Sequence, residues 1–159
     1  MEPSLLTPKF TLVPSHFFDP ASARDMLAAV VNLEDSEKVR HIEVGQYDAV
    51  LVYSDISGES SLLPEMYFIL RALPACAEYN KVLCTWLDGF LYIAIAQGKS
   101  LMLANAFKAA DFTTAEYFIF LAMKSLQLNP EVTTICWRTP LGPDEEMSLY
   151  GYFKSVEIL

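Results

Sequence analysis

Residues 82–107 read VLCTWLDGFLYIAIAQGKSLMLANAF and contain three apolar runs separated by two short turns. Asp88-Gly89 has the composition of a two-residue hairpin turn, because both positions of that turn favour residues that tolerate a positive φ angle. Gln97-Gly98-Lys99 is typical of a second tight turn for the same reason. The pattern predicts an antiparallel meander of three strands, at residues 82–87, 90–96 and 101–107.

A helix, a fourth strand and a second helix are predicted after the meander. Thr113 and Glu116 have the spacing of a capping box, which predicts that a helix begins there and runs to about Leu128. Its residues 117–123 are all apolar or aromatic, so we expect it to be buried on more than one side, with Phe118 and Leu121 in the core. A strand at 132–137, able to pair in parallel, and a helix at 145–156 follow.

That order matches the opening of the ribonuclease H-like unit, the half-domain of actin-like ATPases. Residues 9–73 predict the closing part of a preceding unit: a strand, a helix from Asp19-Pro20 to about Leu33, a hairpin, a loop at 57–61 and a helix from Pro64 to about Leu73. The hairpin strands are expected at 41–44 and 49–53. The predicted fold class is therefore α/β with mixed sheets. We expect two ribonuclease H-like subdomains, the first only partly present at 1–78 and most of the second at 79–159.

Several stretches of the chain match a bacterial family: Phe10 to Pro14 followed by Phe17-Phe18, Leu101 to Phe107, the helix start at Thr113 to Phe120, and Leu149 to Phe153. They resemble the family catalogued as domain of unknown function 3822, and the resemblance implies an actin-like ATPase fold. Each stretch consists of strand-core or helix-face residues, so the resemblance implies a fold and no particular chemistry. Family members look longer at both ends. A fragment, an altered start and a natural short form would each give this pattern.

An ATPase of this fold holds phosphates with an Asp-x-Gly-Thr-like turn between its first two strands. The corresponding turn here is Leu87-Asp88-Gly89-Phe90, in which glycine directly follows aspartate and no hydroxyl residue follows. The glycine pair expected on the adenosine side is also absent, because Gly142 stands alone and Gly151 lies in the predicted final helix. Asp88 and Gly89 are therefore weak candidates for cofactor binding, and neither a nucleotide nor another cofactor is predicted.

A nuclease of this fold needs acidic residues on its first and fourth strands and its first helix to hold two divalent metals. Residues 82–87 and 132–137 contain none, and Glu116 is interpreted as a capping carboxylate. His16 and His41 have no histidine partner at helical spacing and no nearby cysteine, so no metal site is predicted. No Gly-x-Ser-x-Gly nucleophile motif occurs either. The sequence assigns no catalytic residue.

The composition of the chain disfavours several classes of partner and location. The 159 residues are 53% hydrophobic with a net charge of −9, which suits a folded protein and disfavours nucleic acid, a partner bound mainly through Lys and Arg. The apolar runs are shorter than the roughly 20 residues that cross a bilayer, and the N-terminus lacks a signal-peptide pattern. Together with three dispersed cysteines, Cys76, Cys84 and Cys136, expected as reduced core thiols, this predicts a cytoplasmic protein. The acidic residues Glu34, Asp35, Glu37 and 144–146 are expected to be solvated.

Aromatic residues at helical positions are the remaining feature. Most should be core and some should face a partner; they are Tyr67, Phe68, Tyr117, Phe118, Phe120, Tyr150, Tyr152 and Phe153. The sequence thus favours a non-catalytic protein that binds another protein or itself through an exposed sheet edge or the aromatic C-terminal helix. The alternative is a nucleotide-binding actin-like ATPase with a non-standard phosphate site.

Overall fold

A computed structural model describes residues 3–55 and 61–159. These residues form two sheets and four α-helices, and the chain divides into two compact units, one ending at Phe68 and the other beginning at Ile69. The predicted loop at 57–61 falls, except for its last residue, outside the described residues. None of the described helices combines the length and the apolar character needed to span a membrane.

The first unit is built on a three-stranded antiparallel sheet. Its strands are β1 (Phe10–Pro14), β2 (Lys38–Val44) and β3 (Ala49–Asp55), with β3 in the centre and buried along its whole length. The hairpin of β2 and β3 is as predicted, although each strand extends beyond the predicted ends. Helix α1 (Ala23–Ala28) packs Ala23 and Leu27 against Val50 and Val52 of β3.

The first helix is much shorter than the sequence predicted. Asp19 begins the segment as expected, since its carboxylate accepts a hydrogen bond from the Ala21 N–H at 3.1 Å, but a 3-10 turn follows and α1 ends at Ala28 rather than at Leu33. Val30 and Val31, being β-branched, are weak helix formers. The Arg24 guanidinium also donates to the backbone carbonyls of residues 34 and 37, which holds this stretch in a loop instead.

The second unit contains a five-stranded sheet with the order β6-β5-β4-β7-β8. Strands β4 (Asn80–Leu87), β5 (Phe90–Gln97) and β6 (Ser100–Lys108) form the predicted antiparallel meander. Strand β7 (Thr134–Trp137) pairs in parallel with β4, a mode of pairing that the sequence allowed, but it is shorter than the predicted 132–137 because Pro130–Val132 forms a 3-10 turn. Helix α2 (Glu65–Ala72) precedes this sheet at the predicted position and crosses the division between the two units.

The end of the chain differs from the prediction of a helix over 145–156. Helix α4 (Pro143–Tyr150) ends at Tyr150, with Gly151 at its C-cap, and residues Ser155–Ile158 form β8, parallel to β7. Polar and apolar residues alternate over these four positions, and Val156 is buried. This pattern fits an edge strand better than a helical face. The sheet therefore gains a fifth strand that the sequence analysis did not predict.

Helix α3 (Phe112–Ser125) packs one face on the sheet, where Ala115, Ile119, Ala122 and Met123 are buried. The prediction that Leu121 is a core residue is wrong, because Leu121 is 46% exposed. Tyr117 is exposed as well, by 60%. Phe118 is partly buried and stacks on Phe107 of β6, with ring centroids 4.6 Å apart. A helix with a continuous apolar run still turns 100° per residue, so only one stripe of that run faces the sheet.

Candidate functional site

The edge of the five-stranded sheet where β4, β7 and β8 end is the first place to look for a site. In α/β sheets, ligands bind beyond the carboxyl ends of the parallel strands. The antiparallel pairing of β5 brings the turn at Asp88-Gly89 to this edge, and the end of β6 with the start of α3 lies there too. Both candidate binding residues therefore sit where the fold would place a ligand.

The turn itself is a tight two-residue connection. Asp88 has a φ of 51° and Gly89 a φ of 77°, both in the left-handed region, and Leu87 pairs directly with Phe90. The Gly89 carbonyl accepts a hydrogen bond from the Ala109 N–H at 2.8 Å, while the Asp88 side chain is exposed. This geometry closes the hairpin and leaves no loop of successive amides that could surround a phosphate.

Aromatic side chains fill the space beside the turn. The Trp86 indole N–H donates to the Ala109 carbonyl at 3.0 Å, and its ring meets Phe112 edge-on with centroids 5.4 Å apart. Phe112 in turn contacts Trp137, the last residue of β7, at 5.8 Å. Trp137 is fully buried, and its Nε1 has no hydrogen-bond partner among the described residues. The protein thus covers the ends of β4 and β7 with its own apolar side chains.

The carboxylates at the start of α3 have structural partners. Asp111 is the N-cap, since its carboxylate accepts from the Thr114 N–H at 2.8 Å, and this bond lowers the pKa of Asp111. The predicted capping box of Thr113 and Glu116 is therefore wrong. With the cap at residue 111, Glu116 lies more than one turn inside the helix and cannot reach back to the capping residue.

Glu116 instead joins α3 to α4. Its side chain is 8% exposed, and the Ser148 hydroxyl donates to its Oε2 at 2.8 Å. Burial raises the pKa of Glu116, and the hydrogen bond from Ser148 opposes that shift. A buried carboxylate with a raised pKa resembles a general acid or base. Here, however, the hydrogen bond that Glu116 accepts comes from Ser148 on α4 and links two helices.

A second polar cluster lies in the first unit and was not foreseen. Glu37 was expected to be solvated but is 4% exposed. Its carboxylate accepts from Lys9 at 2.7 Å, from the Ser54 hydroxyl at 2.5 Å and from the Glu34 N–H at 3.1 Å. The bonds from Lys9 and Ser54 lower the pKa of Glu37 to about 2. A pocket of about 140 Å³ beside this cluster is lined mainly by residues 5–9.

The described part of the chain contains no group of side chains suited to hold a metal ion. No three His, Cys, Asp or Glu side chains of residues 3–55 and 61–159 converge on one point. His16 contacts Phe17 and His41 contacts Phe18, so the described contacts of both histidines are with aromatic rings. All three cysteines are buried, as predicted.

Helices α3 and α4 and the residues that directly follow α4 carry exposed apolar side chains. Five of these side chains are exposed by 46–74%; they are Tyr117, Leu121, Met147, Tyr150 and Tyr152, called the helical face below. Phe120 of α3 contacts Tyr152, which follows α4, with ring centroids 5.0 Å apart, whereas the Tyr150 hydroxyl donates to the Val156 carbonyl at 3.4 Å. A pocket of about 270 Å³ lies beside Tyr152, lined by Phe120 and Pro130 among others.

A three-stranded antiparallel meander, a crossover helix and parallel strands, together with a second antiparallel sheet, place the chain in the actin-like ATPase fold class. A crystal structure from Bacteroides thetaiotaomicron VPI-5482, described as a protein with actin-like ATPase fold and unknown function, has a TM-score of 0.78 to this chain at 18% sequence identity. The match covers 97% of this chain and 66% of that one, so the chain spans about two thirds of the solved protein's length. At this identity the similarity establishes the fold alone. No protein-family model and no curated protein sequence matches the chain.

Proposed function

We propose that the chain belongs to the family of domain of unknown function 3822 and acts as a non-catalytic protein of the actin-like ATPase fold that associates with a second copy of itself. The sequence stretches quoted above support the family. The helical face carries the functional part of the proposal, because exposed aromatic and apolar side chains on neighbouring elements can supply the apolar area that a protein interaction site needs. Three buried thiols fit the reducing conditions of a cytoplasm.

The composition of the helical face supports a protein as its occupant. Three of its five residues are tyrosines, a residue type enriched among the side chains that dominate binding energy in interfaces. Tyrosine offers a large rigid apolar area with a hydroxyl that needs a polar partner, which Tyr150 finds in the Val156 carbonyl. The adjoining pocket could receive one such ring.

The charges beside this face favour a second copy. The first turn of α4 is acidic through Asp144, Glu145 and Glu146, while the last turn of α3 carries Lys124. In a two-fold contact the same patch meets itself in reverse, which allows the acidic end of one copy to face the basic end of the other. The Lys124 ammonium of one copy can then offset part of the repulsion from the acidic turn of the other.

The covered carboxyl edge supports the non-catalytic part of the proposal. Trp86, Phe112 and Trp137 occupy the ends of the strands where an ATPase of this fold would place phosphates. Two carboxylates at this edge have structural roles, since Asp88 lies in the hairpin turn and Asp111 caps α3. We therefore expect no hydrolysis of ATP.

Sedimentation velocity across the micromolar range tests self-association. We expect a concentration-dependent dimer that Tyr152→Ser or Tyr117→Ser weakens by about tenfold or more, as for a residue in the centre of an interface. Phe17→Ser is the matched control, because Phe17 is 68% exposed in the first unit and away from the helical face in sequence. A monomer at every concentration, or a dimer that the control weakens equally, would overturn the proposal.

Thermal unfolding with and without Mg-ATP tests the alternative of nucleotide binding. A ligand that binds only the folded state raises stability by RT ln(1 + [L]/Kd). We expect no change in the melting temperature at millimolar Mg-ATP. A rise of several degrees would contradict the non-catalytic part of the proposal and favour an ATPase with a non-standard phosphate site.

A further inference from the structure

Two cysteines far apart in sequence meet on the side of the five-stranded sheet that faces away from α3. Cys136 lies between Ile135 and Trp137 on β7, and both neighbours belong to the core under α3. Because side chains alternate along a strand, Cys136 points to the opposite face. There its thiol is in hydrogen-bond contact with Cys76, which directly follows the 3-10 turn Leu73–Ala75. Both side chains are buried, with exposures of 3% for Cys76 and 1% for Cys136.

A small pocket lies beside this pair. It has a volume of about 30 Å³ and is lined by Cys76, Cys136, Ala77, Glu78, Asn80, Thr134 and Glu157. A space of roughly 10–15 Å³ on this measure already holds a water molecule, so the pocket can admit a molecule as small as hydrogen peroxide. Glu78, Asn80, Thr134 and Glu157 supply polar groups to its lining, and a small polar guest can hydrogen-bond to these.

We propose that Cys76 and Cys136 form a peroxide-reactive dithiol that closes to a reversible intramolecular disulfide. In the first step the Cys76 sulfur attacks one peroxide oxygen; the S–O bond forms, the O–O bond breaks, and the leaving hydroxide takes the proton that the Cys76 thiol loses and becomes water. In the second step the Cys136 sulfur attacks the Cys76 sulfur; the S–S bond forms and the S–OH bond breaks. The released hydroxide leaves as water with the Cys136 proton. Two electrons pass from the two thiols to one peroxide.

The two thiols are not equivalent, which assigns their roles. The hydrogen bond from Cys136 lowers the pKa of the Cys76 thiol, and the Lys81 ammonium acts in the same direction while burial and Glu157 oppose it. Lys81 is held there because its Nζ donates to the backbone carbonyls of Cys76 and Glu78. The same bond to Cys76, together with burial, raises the pKa of Cys136. Cys76 is thus the attacking thiol and Cys136 the resolving one.

The disulfide would join two parts of the second unit that the chain connects only through β4, β5, β6 and α3. The turn Leu73–Ala75 lies against β4 and β5, and Cys76 continues from it. A bond from Cys76 to β7 would fasten this turn to the sheet. Oxidation would therefore restrict opening of that segment, and reduction would release it.

Alkylation and mass measurement of the peroxide-treated full chain test the proposal. After treatment with hydrogen peroxide and unfolding in an alkylating reagent, we expect one modified cysteine instead of three, and an intact mass lower by about 2 Da before alkylation. Dithiothreitol should restore three modified cysteines. Peptide mapping should show the bond between Cys76 and Cys136.

Single variants separate the two steps. Cys136→Ser should leave Cys76 as a sulfenic acid that dimedone traps when the treated protein is unfolded in its presence, whereas Cys76→Ser should abolish the reaction. Cys84→Ala is the matched control, because Cys84 is fully buried under α3 and should leave the disulfide unchanged. Circular dichroism shows whether each variant folds, and wild-type chain gives the decisive result if one does not. Three alkylated cysteines after peroxide, a bond that includes Cys84, or only disulfides between chains would overturn the proposal.

Discussion

The Glu37 carboxylate is buried in the first unit with three hydrogen-bond donors around it, and its pKa is lowered to about 2. A carboxylate whose pKa falls on folding, here from an ordinary value of 4.5, stabilises the protein above that ordinary value. That contribution is lost as the pH falls from about 4.5 towards 2. We expect Glu37→Gln to lower the free energy of unfolding by about 2 kcal/mol at pH 7.

Urea unfolding at a series of pH values measures this effect. The difference between wild type and Glu37→Gln should shrink steadily below pH 4.5. Asp35→Asn is the control, since Asp35 is exposed two residues away and its change should have little effect. A difference that does not vary with pH would show that the variant acts through packing and not through the charge.

Glu116 shows the opposite behaviour because burial raises its pKa. The folded state then favours the protonated form, so the charge costs stability at neutral pH, and the cost disappears as the pH falls through the raised pKa towards 4.5. Glu116→Gln keeps an acceptor for Ser148 and should be as stable as wild type at pH 7 or more stable by up to about 1 kcal/mol. Ser148→Ala should instead lose about 1 kcal/mol. Thermal unfolding of both variants checks this, and a clear loss in Glu116→Gln would contradict it.

These two acidic residues also show where sequence reasoning reaches its limit. Asp88-Gly89 could be identified as a turn from two adjacent residues, because a tight turn needs little beyond its own backbone. The burial of Glu37 depends on Lys9 and Ser54, which lie 28 and 17 residues away along the chain. No local pattern contains that information. The same holds for Glu116 and Ser148, which are 32 residues apart.

At the scale of the element, two variants in the turn between β4 and β5 distinguish a backbone role of this turn from a ligand-binding role. Gly89 has a φ of 77°, which side chains with a Cβ adopt only with strain, so Gly89→Ala should cost about 1–2 kcal/mol in the free energy of unfolding. Asp88→Asn should change stability by less than about 0.5 kcal/mol, because asparagine tolerates the same left-handed geometry. Denaturant unfolding measures both. A large loss of unfolding free energy in Asp88→Asn would indicate that the Asp88 carboxylate has a bonding partner outside the hairpin.

Helix α3 gives a matched pair of apolar residues. Ile119 is fully buried against the sheet, whereas Leu121, two positions on, is 46% exposed. Ile119→Ala should lower the free energy of unfolding by about 2–5 kcal/mol, the range for truncation in a core. Leu121→Ala should cost less than about 1 kcal/mol in dilute monomer. Equal losses would mean that the outer side of α3 is also packed.

Elements were predicted best where their pairing is local. The meander and its turns follow from apolar runs and glycines that are adjacent in sequence. The fifth strand was missed because its four residues continue directly from an apolar helical pattern, and only pairing with β7 makes them extended. α1 was predicted too long because the contacts of Arg24 with residues 34 and 37 override a helical spacing.

At the scale of the whole molecule, the net charge of −9 governs association with other polymers. We expect no binding of labelled DNA or RNA in a fluorescence anisotropy titration at low salt, because phosphates and an acidic protein repel each other. The low salt concentration is chosen because it would strengthen any electrostatic binding. Binding that weakens as salt rises would contradict this expectation and point to a local basic surface.

The strand order of the second unit sets the sequence in which its sheet can assemble. Strands β4, β5 and β6 are neighbours both in the chain and in the sheet, whereas β7 reaches β4 only after α3 has been made. Local pairing costs less loop-closure entropy and is faster. A nascent chain would therefore hold a formed meander with the far edge of β4 unpaired until β7 and β8 leave the ribosome. In that interval the apolar strand Asn80–Leu87 is open to pairing with another chain, so synthesis, more than the finished protein, is the stage at which aggregation threatens.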